Sequence, residues 1–533
     1  MHPFTGLQQN IYYMKRYLLL ISLASTATAY AQIPEDALRY SFYPQSGTAR
    51  NMAIGGAMGS LGGDINATFV NPAGLGFYKT GEVAFTPGYF LNNNKADFRG
   101  TATKEKRNVF GLGTTGFVAG YTPRYNDKSS SAFSLAFTQT ASFNNSVKYS
   151  GLNNYSSFSE QFAIEFAQEL NKNGFAAFDQ VLNQNSTLPY TSAVALYTYL
   201  IDTVKVGNSY VVKGAPEYIL DAGQAIKQEM TKDTKGGLYE LALGFAHNYN
   251  DKWYVGGTIS LPIISYNSYT TFKESDTSAR TDNYFNNFVY KDNFSTKGVG
   301  FAGRLGVIYR PQDYLRLGLA IHTPMFMGLT DRRTVTLHTA LENPIGSFDV
   351  SSQTFTNNQE GQSKYMQSNA WKVIGSASYV FREVENVKRQ KGFITADVEY
   401  VNHKGSRFSS DNEQPTDEEK AYYKSLNQVI KNEYKGAFNF RVGGELKFNI
   451  LMTRLGFAYY SNPYNKAVGY KGNRMLLSGG LGYRNKGMFF DLTYVYGITK
   501  DADVPYRLSD RLNTYASLKQ QRGNLLATIG FKF

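Results

Sequence analysis

Segments in which apolar and polar residues alternate strictly recur along this 533-residue chain. In 131–143 (SAFSLAFTQTASF), the side chains of one face are mostly large and apolar, whereas those of the other are small. A period of two residues is typical of a β-strand whose two faces meet different surroundings. The pattern therefore predicts strands with lipid or a protein core on one side and water on the other.

About fourteen such segments can be counted, an even number, as in bacterial single-chain transmembrane barrels. A soluble sandwich also alternates, but repeated strands of ~9–11 residues or more, with Tyr and Phe near their ends, favour a barrel. We therefore predict an all-β fold, a transmembrane antiparallel β-barrel. Its predicted strands are 83–91, 112–122, 131–147, 237–249, 252–272, 294–310, 314–338, 366–381, 391–403, 436–449, 452–461, 474–485, 487–498 and 522–533.

The joins between these segments alternate between short and long. The short ones predict tight turns on the periplasmic side, and the long ones, about 148–236, 339–365, 404–435 and 499–521, predict extracellular loops. Thr416 with Glu419 predicts a capping box at the start of a loop helix.

A stripe of phenylalanines marks the longest loop, where Phe158, Phe162 and Phe166 recur at four-residue spacing, which is helical. Two interpretations stay open. The stripe packs the loop together, or it forms an outer apolar groove that first catches a greasy ligand, since exposed apolar surface usually marks an interaction site.

The N-terminus has the three parts of a secretory signal: Lys15-Arg16, the apolar stretch 17–24, and Ala29-Tyr30-Ala31. We predict a signal peptide over 1–31; if Met14 is the true start, 1–13 is an upstream extension. No later window offers the ~18 apolar residues of a membrane helix. An exported chain of this kind is periplasmic, secreted or a barrel, and the strands favour the outer membrane of a Gram-negative cell.

The last strand, 525–533, alternates up to a terminal Phe533. This ending resembles the signal that barrel-assembly machinery reads in bacterial outer-membrane proteins. We expect that machinery as a partner, together with outer-membrane lipid.

Several function classes lack their sequence signals. The chain has 0 Cys, which excludes thiolate metal sites and cysteine nucleophiles, and it carries no Walker A, HExxH or GxSxG motif. We expect no enzyme activity, no metal and no cofactor. The net charge of +13 is scattered rather than clustered, so no nucleic acid is expected.

Alternation also places charged residues on the face that would line the barrel lumen. Charges are tolerated there, whereas on the lipid face at the midplane they cost ~2–4 kcal/mol. Two interpretations stay open: a salt-bridged wall that fills the interior, or contacts to the polar head of a ligand. The residues are Arg304, Arg310, Arg441, Glu445 and Lys447, with Asp397 and Glu399 on the same face of their strand.

The stretch 47–89 is too rich in glycine for a stable helix and too apolar for a solvated linker. We therefore expect it to fold packed inside something that the rest of the chain supplies, and the predicted strands supply a barrel. This stretch resembles the FadL/TodX-type outer-membrane transporter family. The resemblance rests on Gly47-Thr48-Ala49-Arg50, Gly55-Gly56-Ala57, Leu61-Gly62-Gly63-Asp64, Ala67-Thr68 and Asn71-Pro72-Ala73-Gly74-Leu75.

The resemblance implies a fourteen-stranded barrel, over 82–533 here, with the N-terminal segment over 32–81 folded inside it as a hatch. We expect a monomer. The resemblance further implies passive transport of hydrophobic small molecules, such as long-chain fatty acids or aromatic hydrocarbons, with lateral release where an early strand kinks inward. Asn71-Pro72-Ala73 would face that kink, in 131–147 near Asn144-Asn145. The implied gate residues are Asn71, Pro72, Ala73, Gly74, Gly55, Gly56, Gly62, Gly63 and Asp64.

Three other functions stay open at this point. The first is a general porin or a structural outer-membrane protein, and the second is an outer-membrane lipid-modifying enzyme, for which no motif singles out a residue. The third is a soluble secreted sandwich.

Overall fold

The structure is a computed structural model that describes residues 34–174, 189–206, 209–278, 280–342, 344–381, 391–466 and 472–533. The predicted signal peptide over 1–31 lies outside these residues. The strands are β1 Glu82–Phe85, β2 Pro87–Phe98, β3 Thr101–Leu112, β4 Thr115–Tyr121, β5 Ser130–Ser142, β6 Asn145–Asn153, β7 Ile201–Val206, β8 Ser209–Gly214, β9 Ile226–Tyr249, β10 Trp253–Asp276, β11 Asn287–Gln312, β12 Leu315–His322, β13 Phe326–Ala340, β14 Ser347–Ser351, β15 Gly361–Ser368, β16 Lys372–Phe381, β17 Gly392–Asn402, β18 Arg407–Ser410, β19 Gly436–Phe448, β20 Leu451–Tyr460, β21 Arg474–Asn485, β22 Met488–Asp503 and β23 Ala516–Lys532.

The described helices are short, apart from two in the extracellular loops. They are α1 Pro34–Arg39, α2 Ala49–Ala53, α3 Ala67–Val70, α4 Ser159–Asn173, α5 Tyr190–Tyr197, α6 Glu217–Asp221 and α7 Asp417–Glu433, with 3-10 turns at Pro72–Phe77, Ser352–Phe355 and His403–Gly405. The predicted capping box is confirmed, because Thr416 and Glu419 exchange both of its hydrogen bonds at the start of α7.

The large sheet closes on itself into an antiparallel barrel. The first strand, β1, pairs with the last, β23, through Val83 and Phe531. Several barrel strands are broken into two segments: β1 with β2, β3 with β4, β5 with β6, β12 with β13, and β15 with β16. Counting each broken strand once gives fourteen, as predicted, and each predicted span overlaps one of them. The strands β7 and β8 form a separate hairpin, and β14 and β18 are extra strands attached to the barrel sheet.

The outer face of the barrel is an apolar belt. Alternate positions that point away from the lumen carry large exposed apolar side chains, for example Leu455, which is 73% exposed, and Ile259, which is 70% exposed. Aromatic residues such as Trp253 and Tyr309 stack near a periplasmic turn. A closed barrel with this belt and girdle is a multi-pass outer-membrane barrel.

None of the helices in the described part of the chain combines the length and the apolar character needed to cross a bilayer.

The N-terminal segment, residues 34–81, is enclosed by the barrel wall. Its apolar side chains are buried, including Ile54, Ile65 and Leu75. Its backbone and polar side chains bond to inward-facing wall residues on many strands. These bonds are Ala49 N to Thr528 Oγ1, Thr493 Oγ1 to Ala49 O, Gly55 N to Ser478 Oγ, Met58 N to Asp397, Ser60 to Ser376, Asn71 Nδ2 to Val307 O, Thr258 Oγ1 to Thr68 O, and Thr68 to Ser134.

Glycines in the wall let the N-terminal segment approach this closely. A side chain at Gly318 would overlap the carbonyl group of Gly59, and one at Gly456 would overlap the backbone at Ile54 and Gly55. A side chain at Gly443 would likewise overlap Ile54. Because the obstacles are backbone atoms, no side-chain rotation would relieve the overlap. The wall therefore lacks side chains at the positions where the N-terminal segment lies against it.

The predicted outer apolar groove is wrong. Phe158 and Phe162 are 4% and 3% exposed, and Phe166 is fully buried. They pack in an aromatic cluster with Phe272 and Phe288 at the tops of β10 and β11. The stripe therefore packs the long loop against the extracellular rim, which was the other interpretation of the same spacing.

Replacing Gly456 by Val should displace the N-terminal segment while the barrel remains closed. We expect a loss of at least ~2 kcal/mol, since overpacking against backbone typically costs ~1–3 kcal/mol. Proteolysis of residues 34–81, with heat-modifiable gel mobility to monitor the barrel, measures both effects. Gly375→Val is the matched control, because a side chain at that wall glycine meets nothing within 4 Å. Equal protease resistance in the two variants would contradict this packing.

Candidate functional site

The third barrel strand is interrupted near the middle of its length. Its first part, β5, ends at Ser142, and its second part, β6, begins at Asn145, so Phe143 and Asn144 lie in a break. The register against β9 is also irregular between Gln139 and Ala141. The break falls where the resemblance placed an inward kink.

The neighbouring strand β3 has an open edge beside this break. It pairs with β2 along its whole length, but no described ladder joins its other edge to β5 or β6. Single contacts cross instead: Leu112 N donates to Gln139 Oε1 at 3.4 Å, Thr103 Oγ1 donates to Lys148 O, and Arg107 pairs with Asp233 at 3.3 Å. We call the gap between β3 and the segment 139–145 the wall opening.

The strand β6 stays paired with β9 over Asn145–Asn153, but it lies across the inner side of β2. Asn92 and Asn94, on the inward face of β2, donate their side-chain amides to Asn144 O at 3.0 Å and Asn145 Oδ1 at 2.8 Å. β6 therefore crosses the inner face of β2 and meets β3 through side chains such as Thr103, without a described backbone ladder between β6 and β3. This displacement leaves the edge of β3 without a backbone partner and produces the wall opening.

A continuous cluster of buried apolar side chains leads to the wall opening from the extracellular end. We call it the inner apolar cluster. At its outer end are residues of α7, and at its inner end Tyr40 meets Phe143 in the break, with ring centroids 5.8 Å apart. Its buried members include Tyr423, Leu426, Ile430, Leu38, Tyr40 and Leu526, and the half-buried Phe143 and Phe90 pack against them.

A small cavity of about 40 Å³ lies between the N-terminal segment and the wall. Its lining is mixed: Tyr43, Phe69 and Met325 are apolar, whereas Arg304 and His322 are polar. Most of the other lining residues are polar, Glu240 and Lys372 among them, so the cavity suits the polar end of a molecule.

Two polar groups at this cavity keep unused hydrogen-bonding capacity toward the described protein atoms. Arg304 donates to Ser260 Oγ at 2.9 Å and pairs with Glu240 at 2.5 Å, but its Nε has no protein partner. The Nε2 atom of His322 bonds the carbonyl oxygen of Val70 at 2.8 Å, and its Nδ1 atom has no protein partner.

The other predicted lumen charges belong to the wall or to its rim. Arg441 lies 3.6 Å from Asp397 and 3.3 Å from Glu399. Glu445 accepts a bond from Arg454 at 2.6 Å and lies 3.5 Å from Arg50 of the N-terminal segment. These contacts fit the salt-bridged wall of the first interpretation. At the strand ends, Arg310 pairs with Asp313 of a turn at 2.8 Å, and Lys447 lies near the end of β19; neither lines the cavity.

The Asn71 turn does not face the break. The Nδ2 atom of Asn71 donates to Gly59 O at 2.6 Å and to Val307 O at 3.3 Å, and Pro72 lies against Gly256 of β10. The prediction that Asn71-Pro72-Ala73 lies against the kink is therefore wrong, because β10, β11 and β12 hold this turn. The residue of the N-terminal segment that reaches the break is Tyr40.

The remaining predicted gate residues shape the N-terminal segment itself. Gly55, Gly56 and Gly63 have positive φ values of 70°, 77° and 69°, which favour glycine. Asp64 accepts bonds from Thr48 Oγ1 at 2.9 and 3.0 Å. The other two, Gly62 and Gly74, pack against each other and Phe77.

Sequence reasoning missed two elements of this site. Tyr40 precedes the glycine-rich stretch and carries no signal of its own. The wall glycines did carry one, since a glycine inside a strand often marks close approach of another backbone.

The fold is similar to solved structures of channels and transporters. The toluene transporter TodX of P. putida is 13% identical, with a TM-score of 0.50, 92% of this chain covered and 99% of that chain. The toluene transporter TbuX of Ralstonia pickettii is 15% identical, with a TM-score of 0.49 and coverages of 92% and 100%. A FadL homologue of Pseudomonas aeruginosa is 14% identical, with a TM-score of 0.48 and coverages of 91% and 98%.

The comparison with TodX confirms the fold expected from the sequence resemblance. No protein-family model matches the chain, and no curated protein matches it.

Removing the Asp397 carboxylate should loosen the N-terminal segment. Asp397 accepts from Met58 N at 3.0 Å, Gly59 N at 3.1 Å and Ser376 Oγ at 2.6 Å, and it is buried. In Asp397→Ala these donors and Arg441 lose their carboxylate partner. We therefore expect the free energy of unfolding to fall by ~3 kcal/mol and amide exchange over 55–62 to become faster.

The control for this variant is Asp331→Ala, which removes another buried carboxylate that bonds Thr296 and Tyr365 instead. It should leave exchange over 55–62 unchanged. If both variants accelerate exchange there equally, Asp397 has no specific role in holding the segment.

Proposed function

We propose that this protein carries hydrophobic small molecules across the outer membrane by passive diffusion. A molecule enters beside α7, follows the inner apolar cluster to Tyr40 and Phe143, and leaves sideways through the wall opening into the bilayer. The observation that carries this proposal is the continuity of the inner apolar cluster from the extracellular end to the open edge of β3.

The N-terminal segment supports a sideways exit rather than a straight one. It is bonded to the wall on β5, β10, β11, β16, β17, β21, β22 and β23. A path to the periplasm would have to break many of these bonds, whereas the wall opening needs none of them broken. A greasy solute that leaves through the wall enters lipid directly and avoids both a crossing of water and an energy source.

The moving part of the gate is the start of the N-terminal segment, residues 34–46. It carries Tyr40, whose ring packs against Phe143 in the break. The later part, with Gly55, Asn71 and Pro72, is the anchored body of the hatch. Ligand binding would shift Tyr40 if the ligand favoured the open arrangement by a few kcal/mol.

The transported class is long-chain fatty acids or similar hydrophobic compounds, aromatic hydrocarbons included. The apolar path accounts for the hydrophobic part. Arg304 and His322 in the cavity would hold the polar end of an amphiphilic member of this class. That the similar structure TodX is a toluene transporter supports the same class.

The alternative is a general porin or a structural outer-membrane protein. A porin passes hydrophilic sugars and conducts ions in planar bilayers, whereas a lumen filled by the N-terminal segment should conduct very little. A large steady conductance would favour the porin.

Narrowing the wall opening should reduce uptake of a labelled fatty acid or toluene. Gly111 lies on β3, where an added side chain would meet the side chains of Phe90 and Gln139. We expect Gly111→Trp to cut uptake roughly tenfold, which corresponds to a barrier increase of about 1.4 kcal/mol. Gly375→Trp, at a wall glycine with open space, is the control. Equal uptake by both variants would exclude lateral release at this place.

Two further substitutions separate the gate from the anchor. Tyr40→Ala removes the ring that closes the path at Phe143, so uptake per folded barrel should rise several-fold. Asn71→Ala removes buried bonds worth roughly 1–3 kcal/mol far from the break, so it should lower stability and leave uptake per folded barrel unchanged. If Asn71→Ala abolishes uptake in folded barrels while Tyr40→Ala has no effect, the gate lies at the Asn71 turn.

A further inference from the structure

Four lysines form a straight row across four adjacent strands on the outside of the barrel. Lys95 of β2 lies directly opposite Lys104 of β3 on one side and Lys519 of β23 on the other. Lys519 in turn lies opposite Lys500 of β22. We call these four residues the lysine row.

All four side chains point away from the lumen. Each is exposed, and its neighbours along the strand, such as Ala96, Leu518 and Thr499, are buried. On β22 the same outward face carries the exposed residues Leu492, Tyr494 and Tyr496 of the apolar belt below the row. The lysine row therefore belongs to the outer surface.

The row stands just beyond the extracellular edge of the apolar belt. Lys500 follows Tyr496 by four residues, or ~13 Å along the strand, and less along the membrane normal because barrel strands are tilted. The other ends of β22 and β23, at Met488 and Lys532, lie on the periplasmic side. This level is that of the outer-leaflet headgroups.

The arrangement is unfavourable without an external anion. Directly opposite residues have Cβ atoms about 4.5–5.5 Å apart, and like charges there are destabilising. None of the four ammonium groups forms an ion pair with any described residue. Two other charges share this face: Lys106, opposite Asn93, adds a fifth cation, and Asp97 is the one nearby carboxylate on the outward face of β2.

We propose that the lysine row binds the phosphate groups of an outer-leaflet lipid. Two phosphates on one headgroup would each meet two lysines across neighbouring strands, which relieves the repulsion and holds the lipid against β2 and β23. Because β3 also forms one edge of the wall opening, the bound lipid stands beside that opening. This proposal depends on the membrane orientation of the barrel and not on what the barrel transports.

The test uses the purified full-length protein in neutral detergent and diphosphorylated lipid A as the probe. Lys95→Gln/Lys519→Gln removes the two central charges, and Lys291→Gln/Lys297→Gln is the control. The control lysines also point outward, on β11, but they face Thr271, Thr336, Ser265 and Thr330 rather than other lysines.

We expect the lysine-row variant to bind lipid A about thirty-fold more weakly than the wild type, at about 1 kcal/mol for each lysine. The control variant should bind like the wild type. Lipid A without its phosphates should also bind weakly to the wild type. Its affinity should be no higher than that of intact lipid A for the lysine-row variant. Equal affinity of both variants, or phosphate-independent binding, would overturn the proposal. Equal stabilisation of the wild type by inorganic phosphate and by lipid A would also overturn it, because the site would then bind a free anion.

A second readout separates binding from a structural role. Without lipid and at low salt, Lys95→Gln should raise the melting temperature, because it removes a repulsion, and high salt should erase the difference. With lipid A present, the order should reverse. A variant that is less stable than the wild type without lipid would show that the lysine holds the barrel together, and the proposal would fail.

Discussion

The contact between the backbone of the N-terminal segment and the small residues of the barrel wall determines how the lumen is organised. Wall glycines such as Gly318 and Gly456 leave no room for side chains, and short hydroxyl side chains satisfy the backbone groups between them. Residues 34–81 can therefore fill a wide barrel without a core of their own, because buried backbone groups must find partners. The N-terminal segment fills the lumen wherever it makes these contacts with the barrel wall.

The wall opening also depends on which backbone groups find hydrogen-bond partners. A closed barrel normally leaves no strand edge, and an open edge in lipid is costly. Here the inward course of β6 frees the edge of β3, and side chains such as Thr103 and Arg107 bridge part of it. Such an edge persists at a cost, and the proposed sideways release would give it a function. The inner apolar cluster includes Phe143, which lies in the break beside this edge.

The sequence predicted the barrel well because alternation is a local signal that each strand carries by itself. It could not decide between loop packing and an exposed groove for Phe158, since helical spacing is the same in both. It misplaced the Asn71 turn, because the partner of a buried amide is set by distant residues, here Val307 and Gly59. The lysine row was also invisible, because neighbours across strands are far apart in sequence and only the register brings them together.

The most direct measurement is the position of a bromine-labelled ligand, such as a brominated fatty acid or bromotoluene, by anomalous diffraction from crystals of the protein. We expect bromine within the inner apolar cluster, with the site nearest the exit between Tyr40, Phe143 and the edge of β3. Bromine on the periplasmic side of the N-terminal segment, with none near the wall opening, would contradict this expectation, because the ligand would then pass straight through the lumen.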